Sequence, residues 1–116
     1  MEIMRWKQEP VEQLSVGIGR QMLNTANLTV ATIHLASGAV VPRHQHDNEQ
    51  VANVLSGSAR FVVGDEEAVV TAGESIAIPS GVPHEVEALE DTVVIDVFSP
   101  RREDWINGDD AYLRAT

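Results

Sequence analysis

Between Leu28 and Phe98, short apolar runs rich in β-branched residues alternate with breaks containing Gly or Pro. The breaks recur roughly every eight to twelve residues, the rhythm of an all-β sandwich or barrel rather than of a βαβ array. The runs predict strands at Gly19–Leu23, Leu28–Ala36, Gln50–Leu55, Ala59–Val63, Ala68–Thr71, Ser75–Ile78, His84–Ala88 and Val93–Phe98. Gly64-Asp65, set between two apolar runs, reads as a hairpin turn. Helical periodicity is missing here, and only the tail from Asp104 to Leu113 has room for a short helical turn. A faint internal echo is also present. Five residues separate Gly38 from His44, and five separate Gly73 from Pro79, with His84 beyond. Two such units brought face to face would direct their histidines into one cavity.

Composition narrows the possibilities. The 116 residues are expected to form one domain (1–116), with a core of about 28–98, a short N-terminal strand arm and a C-terminal tail. The chain has no cysteine, which removes disulfides and Cys-based zinc sites. The opening residues lack a secretory apolar segment, and no run approaches the ~20 apolar residues of a membrane span, so a cytoplasmic location is expected. Eight Lys and Arg against 18 Asp and Glu give a net charge of −10, and only Arg101 and Arg102 are adjacent bases. That balance argues against a nucleic-acid or anionic-membrane partner. Any anion site here must supply its own local positive charge.

The candidate chemistry sits in the stretch Gly38–Gly57. His44 and His46 are two apart, so an extended strand sends both rings from one face. Imidazole is the commonest protein metal ligand, and His84 in PSGVPH offers a third ring. Glu49 and Gln50 stand side by side on opposite strand faces, so one of them faces the cavity. His34, in phase with Val30 and Thr32, reads as a structural histidine, with a place behind the metal ligands as the alternative.

Gly38, His44, His46, Gln50 and Gly57 meet the pattern G-x5-H-x-H-x3-[E/Q]-x6-G, and Gly73, Pro79, Gly81 and His84 meet G-x5-P-x-G-x2-H. These paired motifs resemble those of the cupin superfamily over roughly Leu28 to Phe98. The resemblance implies a small antiparallel jelly-roll barrel with one divalent metal near its mouth, held by His44, His46, Gln50 and His84. Gln50 keeps the motif register and takes the place of the usual carboxylate. Three neutral imidazoles and a neutral amide leave the full charge on the metal, which favours Lewis-acid over redox work. Zinc, nickel, cobalt, iron and manganese all suit such a donor set.

Beyond the second motif, Asp96 is a charge inside the apolar run Val93–Phe98, on the face of Val94 and Phe98. Burying it needs a partner or a purpose: an ion pair with Arg101 or Arg102, a hydrogen bond to a loop amide, or a place in the cavity. Arg102 suits a carboxylate held at the cavity mouth, or pairing with Glu103 or Asp104. Trp6, Trp105 and Tyr112 are expected at an apolar edge or a dimer contact. HQH…EQ…VLSG, PSGVPH and DVFSPRREDW resemble the KdgF group, small cupins of pectin and alginate breakdown that open 4,5-unsaturated monouronates to linear keto acids. The resemblance implies functional roles for Asp96, Phe98 and Arg102, in the spacing D-x-F-x3-R, and a carboxylated sugar as substrate. The polar residue that group uses two beyond the glutamine is Ala52 in this chain. Two other readings stay open, a non-catalytic cupin binding a sugar or small acid and a metal-dependent dioxygenase. A homodimer is expected, because pairing hides open sheet edges.

Overall fold

The computed structural model describes residues 1–114. Its strands are β1 (Glu12–Ser15), β2 (Ile18–Asn24), β3 (Thr29–Leu35), β4 (Val40–His44), β5 (Glu49–Ser56), β6 (Ser58–Val63), β7 (Glu66–Thr71), β8 (Ser75–Ile78), β9 (His84–Ala88) and β10 (Thr92–Ser99). Two short helices follow, α1 (Glu103–Ile106) and α2 (Ala111–Arg114). A six-stranded sheet in the order β1-β2-β3-β10-β5-β8 faces a four-stranded sheet in the order β4-β9-β6-β7. Every pairing is antiparallel, and the fold is a jelly roll. No helix of the described residues is long and apolar enough to cross a membrane.

All eight expected strands form, within one or two residues at their ends. β1 was not expected, because Glu-Gln-Leu-Ser is too short and polar to signal a strand. β4 carries Pro42, and its pairing with β9 slips between Val41 and His44. That irregularity ends the strand at His44, so His46 lies in the loop beyond rather than two positions along a strand. The Gly64-Asp65 hairpin forms, with Gly64 at φ 61° in the first central position, where a type II′ turn needs a positive φ. Gly57, which closes the first motif, has φ 84°, and a Cβ there would collide with Asp91 O and Thr92.

The core lies between the sheets and is built by strict alternation. β3 turns Ala31, Ile33 and Leu35 inward, and β5 turns Gln50, Ala52 and Val54. β9 contributes His84, Val86 and Ala88, and β10 contributes Thr92, Val94, Asp96 and Phe98. Three polar members of these inward rows, Gln50, His84 and Asp96, line one cavity. The same periodicity that fills the core therefore carries Gln50, His84 and Asp96 into its interior.

Candidate metal centre

Register brings the two histidine motifs together. His44 on β4 lies directly opposite His84 on β9, with ring centroids 4.2 Å apart. The His46 loop is fastened to the turn of the second motif, where Gly81 N–H donates to His46 O at 2.8 Å and Ser80 Oγ to Asp47 O at 2.6 Å. Each of the three histidines offers one nitrogen, all within 4.8 Å of one another.

Hydrogen bonding fixes which nitrogen is offered. Nδ1 of His44 faces Pro42 O at 2.8 Å, that of His46 faces Asn48 O at 3.0 Å, and that of His84 faces Val82 O at 2.8 Å. A carbonyl only accepts, so each Nδ1 carries the proton and each Nε2 is left with a lone pair. Nε2 of His84 is buried without a partner among the described residues. Nε2 of His46 instead faces Gln50 Oε1 at 3.1 Å, while Gln50 Nε2 donates to Asp96 Oδ1 at 3.0 Å. Two acceptors at that distance repel unless a cation stands beside both. This donor set fits a divalent metal, and backbone carbonyls hold the rings as ligating histidines are usually held.

Burial pushes the pKa of His44 and of His46 down to about 4, and nearby Arg102 lowers both slightly further. His84 is lowered by burial as well. Neutral imidazoles are thus available for metal well below ordinary histidine titration.

Gln50 is buried and Glu49 is exposed, on opposite strand faces and in the motif register that favoured Gln50. Asp96 is paired with neither Arg101 nor Arg102. Its bond from Gln50 crosses the diagonal of the β5–β10 ladder, in which Phe98 faces Gln50 and Asp96 faces Ala52. Burial pushes its pKa up to about 7, against the Gln50 hydrogen bond and the charge of Arg102, which pull it down. Phe98, fully buried, sets its ring edge to face with His46 at 5.6 Å and with Trp105 at 5.1 Å.

Arg102 is no surface residue. Only 1% exposed, it donates from Nε and Nη2 to both oxygens of Asp104 at 3.0 and 2.8 Å. Its guanidinium lies 4.0 Å from the Trp105 ring centre and 4.7 Å from that of Phe98. His34 bonds Gln21 Oε1 at 3.0 Å, away from the centre, and is structural.

Three contributors were not read from the sequence as part of the site. Asn48 donates to Pro100 O at 2.6 Å and Arg101 O at 3.1 Å, joining the histidine loop to the chain after β10. Trp105, expected at an edge, is interior, and Tyr112 stacks on His44 with centroids 4.4 Å apart. His44, Gln50, His84, Asp96, Arg102 and Tyr112 all line one cavity of about 50 Å³.

A jelly roll that gathers three histidines from two glycine-flanked units at one end of its core is the architecture of a cupin. The cupin domain model matches residues 31–98, more than half of the chain, and the chain belongs to that family. Over 100 residues it is 34% identical to the pectin degradation protein KdgF of Dickeya dadantii (strain 3937), covering 84% of this chain and 91% of that one. KdgF from Halomonas sp. superposes with a TM-score of 0.86 at 29% identity, over 90% of this chain and 98% of that one. Bacillus subtilis oxalate decarboxylase, a protein with Mn(II) centres, aligns at a TM-score of 0.75 and 26% identity. That match spans 84% of this chain but 29% of the decarboxylase.

Proposed function

We propose that this cupin is a metal-dependent enzyme that opens the ring of a 4,5-unsaturated monouronate to a linear keto acid. The observation that carries the reading is Asp96, a buried carboxyl with a pKa near 7, hydrogen-bonded to Gln50 beside three histidines whose candidate ligand nitrogens lie within 4.8 Å of one another. Similarity to two KdgF proteins supports the substrate class. A divalent cation held by His44, His46, His84 and Gln50 would polarise a substrate oxygen as a Lewis acid.

The reaction is an isomerisation. The anomeric hydroxyl gives up its proton as the bond between C1 and the ring oxygen breaks, leaving an aldehyde and an enol. Protonation at C4 then gives the ketone, with no atom gained or lost. Asp96 is suited to carry that proton, because a carboxyl titrating near pH 7 both accepts and returns it. The Gln50 amide holds Oδ1 of Asp96 and leaves the other oxygen for the substrate. Arg102 is the positive charge for the uronate carboxylate, and Phe98 supports its guanidinium and the His46 ring.

A homodimer belongs to this reading. Leu23, Val30, Val97, Val51 and Ala77 form one apolar row across five strands on the outer face of the larger sheet, which a second copy would cover. Sedimentation at micromolar concentration tests it, and a monomer would remove this part. The enzymatic claim is tested by loss of the substrate's enol-ether absorbance with metal-replete protein. Ligand-induced thermal stabilisation without turnover would instead mark a binding cupin.

A further inference from the structure

Tyr112 oxygen sits between two N–H donors. Arg102 Nη2 reaches it at 3.0 Å and Trp105 Nε1 at 3.1 Å, while its ring covers His44. The cavity beneath, about 50 Å³, has room for only a few waters. Small-molecule sites usually enclose about 300 Å³ or more, so a monouronate cannot share this space with Tyr112.

α2 is a single turn, preceded by Gly108 at φ 79°. Ion pairs fasten it: Asp110 accepts from Arg20 at 2.9 Å and from Arg114 at 2.8 Å, and both bases also reach Glu12. Apart from the packing of Tyr112 and Leu113, its grip on the barrel is electrostatic.

We propose that Arg102 Nη2 and Trp105 Nε1 form the seat for one carboxylate oxygen of the substrate, and that Tyr112 fills this seat until a uronate displaces it together with α2. The proposal rests on the uronate reading above and assigns its anion site. The geometry suits an acceptor with charge. Asp104 takes Nε and one bond of Nη2, leaving Nη1 without a hydrogen bond to any described residue, next to the two-donor seat. A carboxylate therefore finds Nη1 for its second oxygen, and its charge-assisted bonds are stronger than those of a neutral phenol. The guanidiniums of Arg20 and Arg102 both lie over the Trp105 ring, at 4.8 and 4.0 Å from its centre, which helps fix the direction of its N–H.

The test titrates metal-replete protein with D-galacturonate, a saturated uronate that cannot react, and with galactose as the uncharged control. Tyr112→Phe removes the competing oxygen but keeps the ring, and should bind galacturonate at least threefold more tightly than the wild type. Trp105→Phe removes the indole donor and should bind it about tenfold more weakly, the worth of a hydrogen bond to a charged group. Galactose should not distinguish the three proteins. Equal or weaker galacturonate binding by Tyr112→Phe, or no binding by any of them, would overturn the proposal. So would unchanged affinity in Trp105→Phe, and if that variant does not fold, the Tyr112→Phe arm decides alone. Ring opening by a protein whose Tyr112→Phe variant binds no better would sink the seat and leave the activity. Tighter uronate binding without ring opening would do the reverse.

Discussion

Two buried aspartates, Asp96 and Asp110, stand at the two ends of what burial does to a carboxyl. Asp110 receives hydrogen bonds from Arg114 and Arg20, which hold its pKa below the usual carboxylate range although burial works against them. Asp96 receives one neutral amide, and burial drives its pKa up to about 7. Both side chains are shielded from solvent, but Asp96 lies deep in the barrel and Asp110 nearer its rim, so depth and partners both differ. A charge fully paired by arginines fastens a segment, whereas a carboxyl left with an amide keeps its proton near neutrality and is free to exchange it. The contrast separates a latch from an acid–base group without reference to any substrate.

The largest expected effect tests the latch. Asp110→Ala leaves the Arg20 guanidinium buried without its interior partner and should lower the unfolding free energy by about 3–5 kcal/mol in urea titration. A loss below about 1 kcal/mol would show that the pair holds nothing.

The same measurement on Asp96→Asn should move the other way. Because the folded pKa is raised, Asp96 favours the folded state below about pH 4, and this is lost as pH rises through about 7. Asparagine escapes that penalty. Without metal, the variant should be more stable than the wild type at pH 8, by on the order of 3 kcal/mol, and no more stable at pH 3.5. Asp110 has the opposite slope: its depressed pKa contributes stability above about pH 4 that fades as pH falls through the folded value. Parallel pH–stability curves for the Asp96→Asn and Asp110→Asn variants would erase the distinction.

A smaller effect concerns the histidines. Ordinary imidazoles would begin losing metal below about pH 6. With His44 and His46 lowered to about 4, metal content after dialysis should be unchanged between pH 7 and pH 5.5 and fall only as pH approaches 4. Metal lost already at pH 6 would contradict the burial of the triad.

Much of this was legible because alternation is a strong signal. Parity put Glu49 and Gln50 on opposite faces and Asp96 on one face with Val94 and Phe98, and the motif register to Gly57 chose Gln50 as the inward one. The glycine and proline spacing of the two motifs foretold that His44 and His84 would meet, which register then realises. Position along a strand did not explain His46, because Pro42 and a slipped pairing end β4 before it. The tail was opaque for a different reason. Two four-residue helices have no periodicity to read, and Tyr112 and Trp105 owe their places to partners fixed only in three dimensions. Arg20 and Asp110 are 90 residues apart in the chain. For Arg102 the sequence leaves open a carboxylate held at the cavity mouth or pairing with Glu103 or Asp104. The structure pairs it with Asp104 and still leaves it facing the cavity.

The most direct test is to follow the enol-ether absorbance of a 4,5-unsaturated monouronate with metal-replete wild type, chelated protein and Asp96→Asn. The account predicts rapid loss with the wild type alone, and a fall of about 10²–10⁴-fold for Asp96→Asn at unchanged metal content. Full activity in Asp96→Asn, or after complete removal of metal, would contradict it.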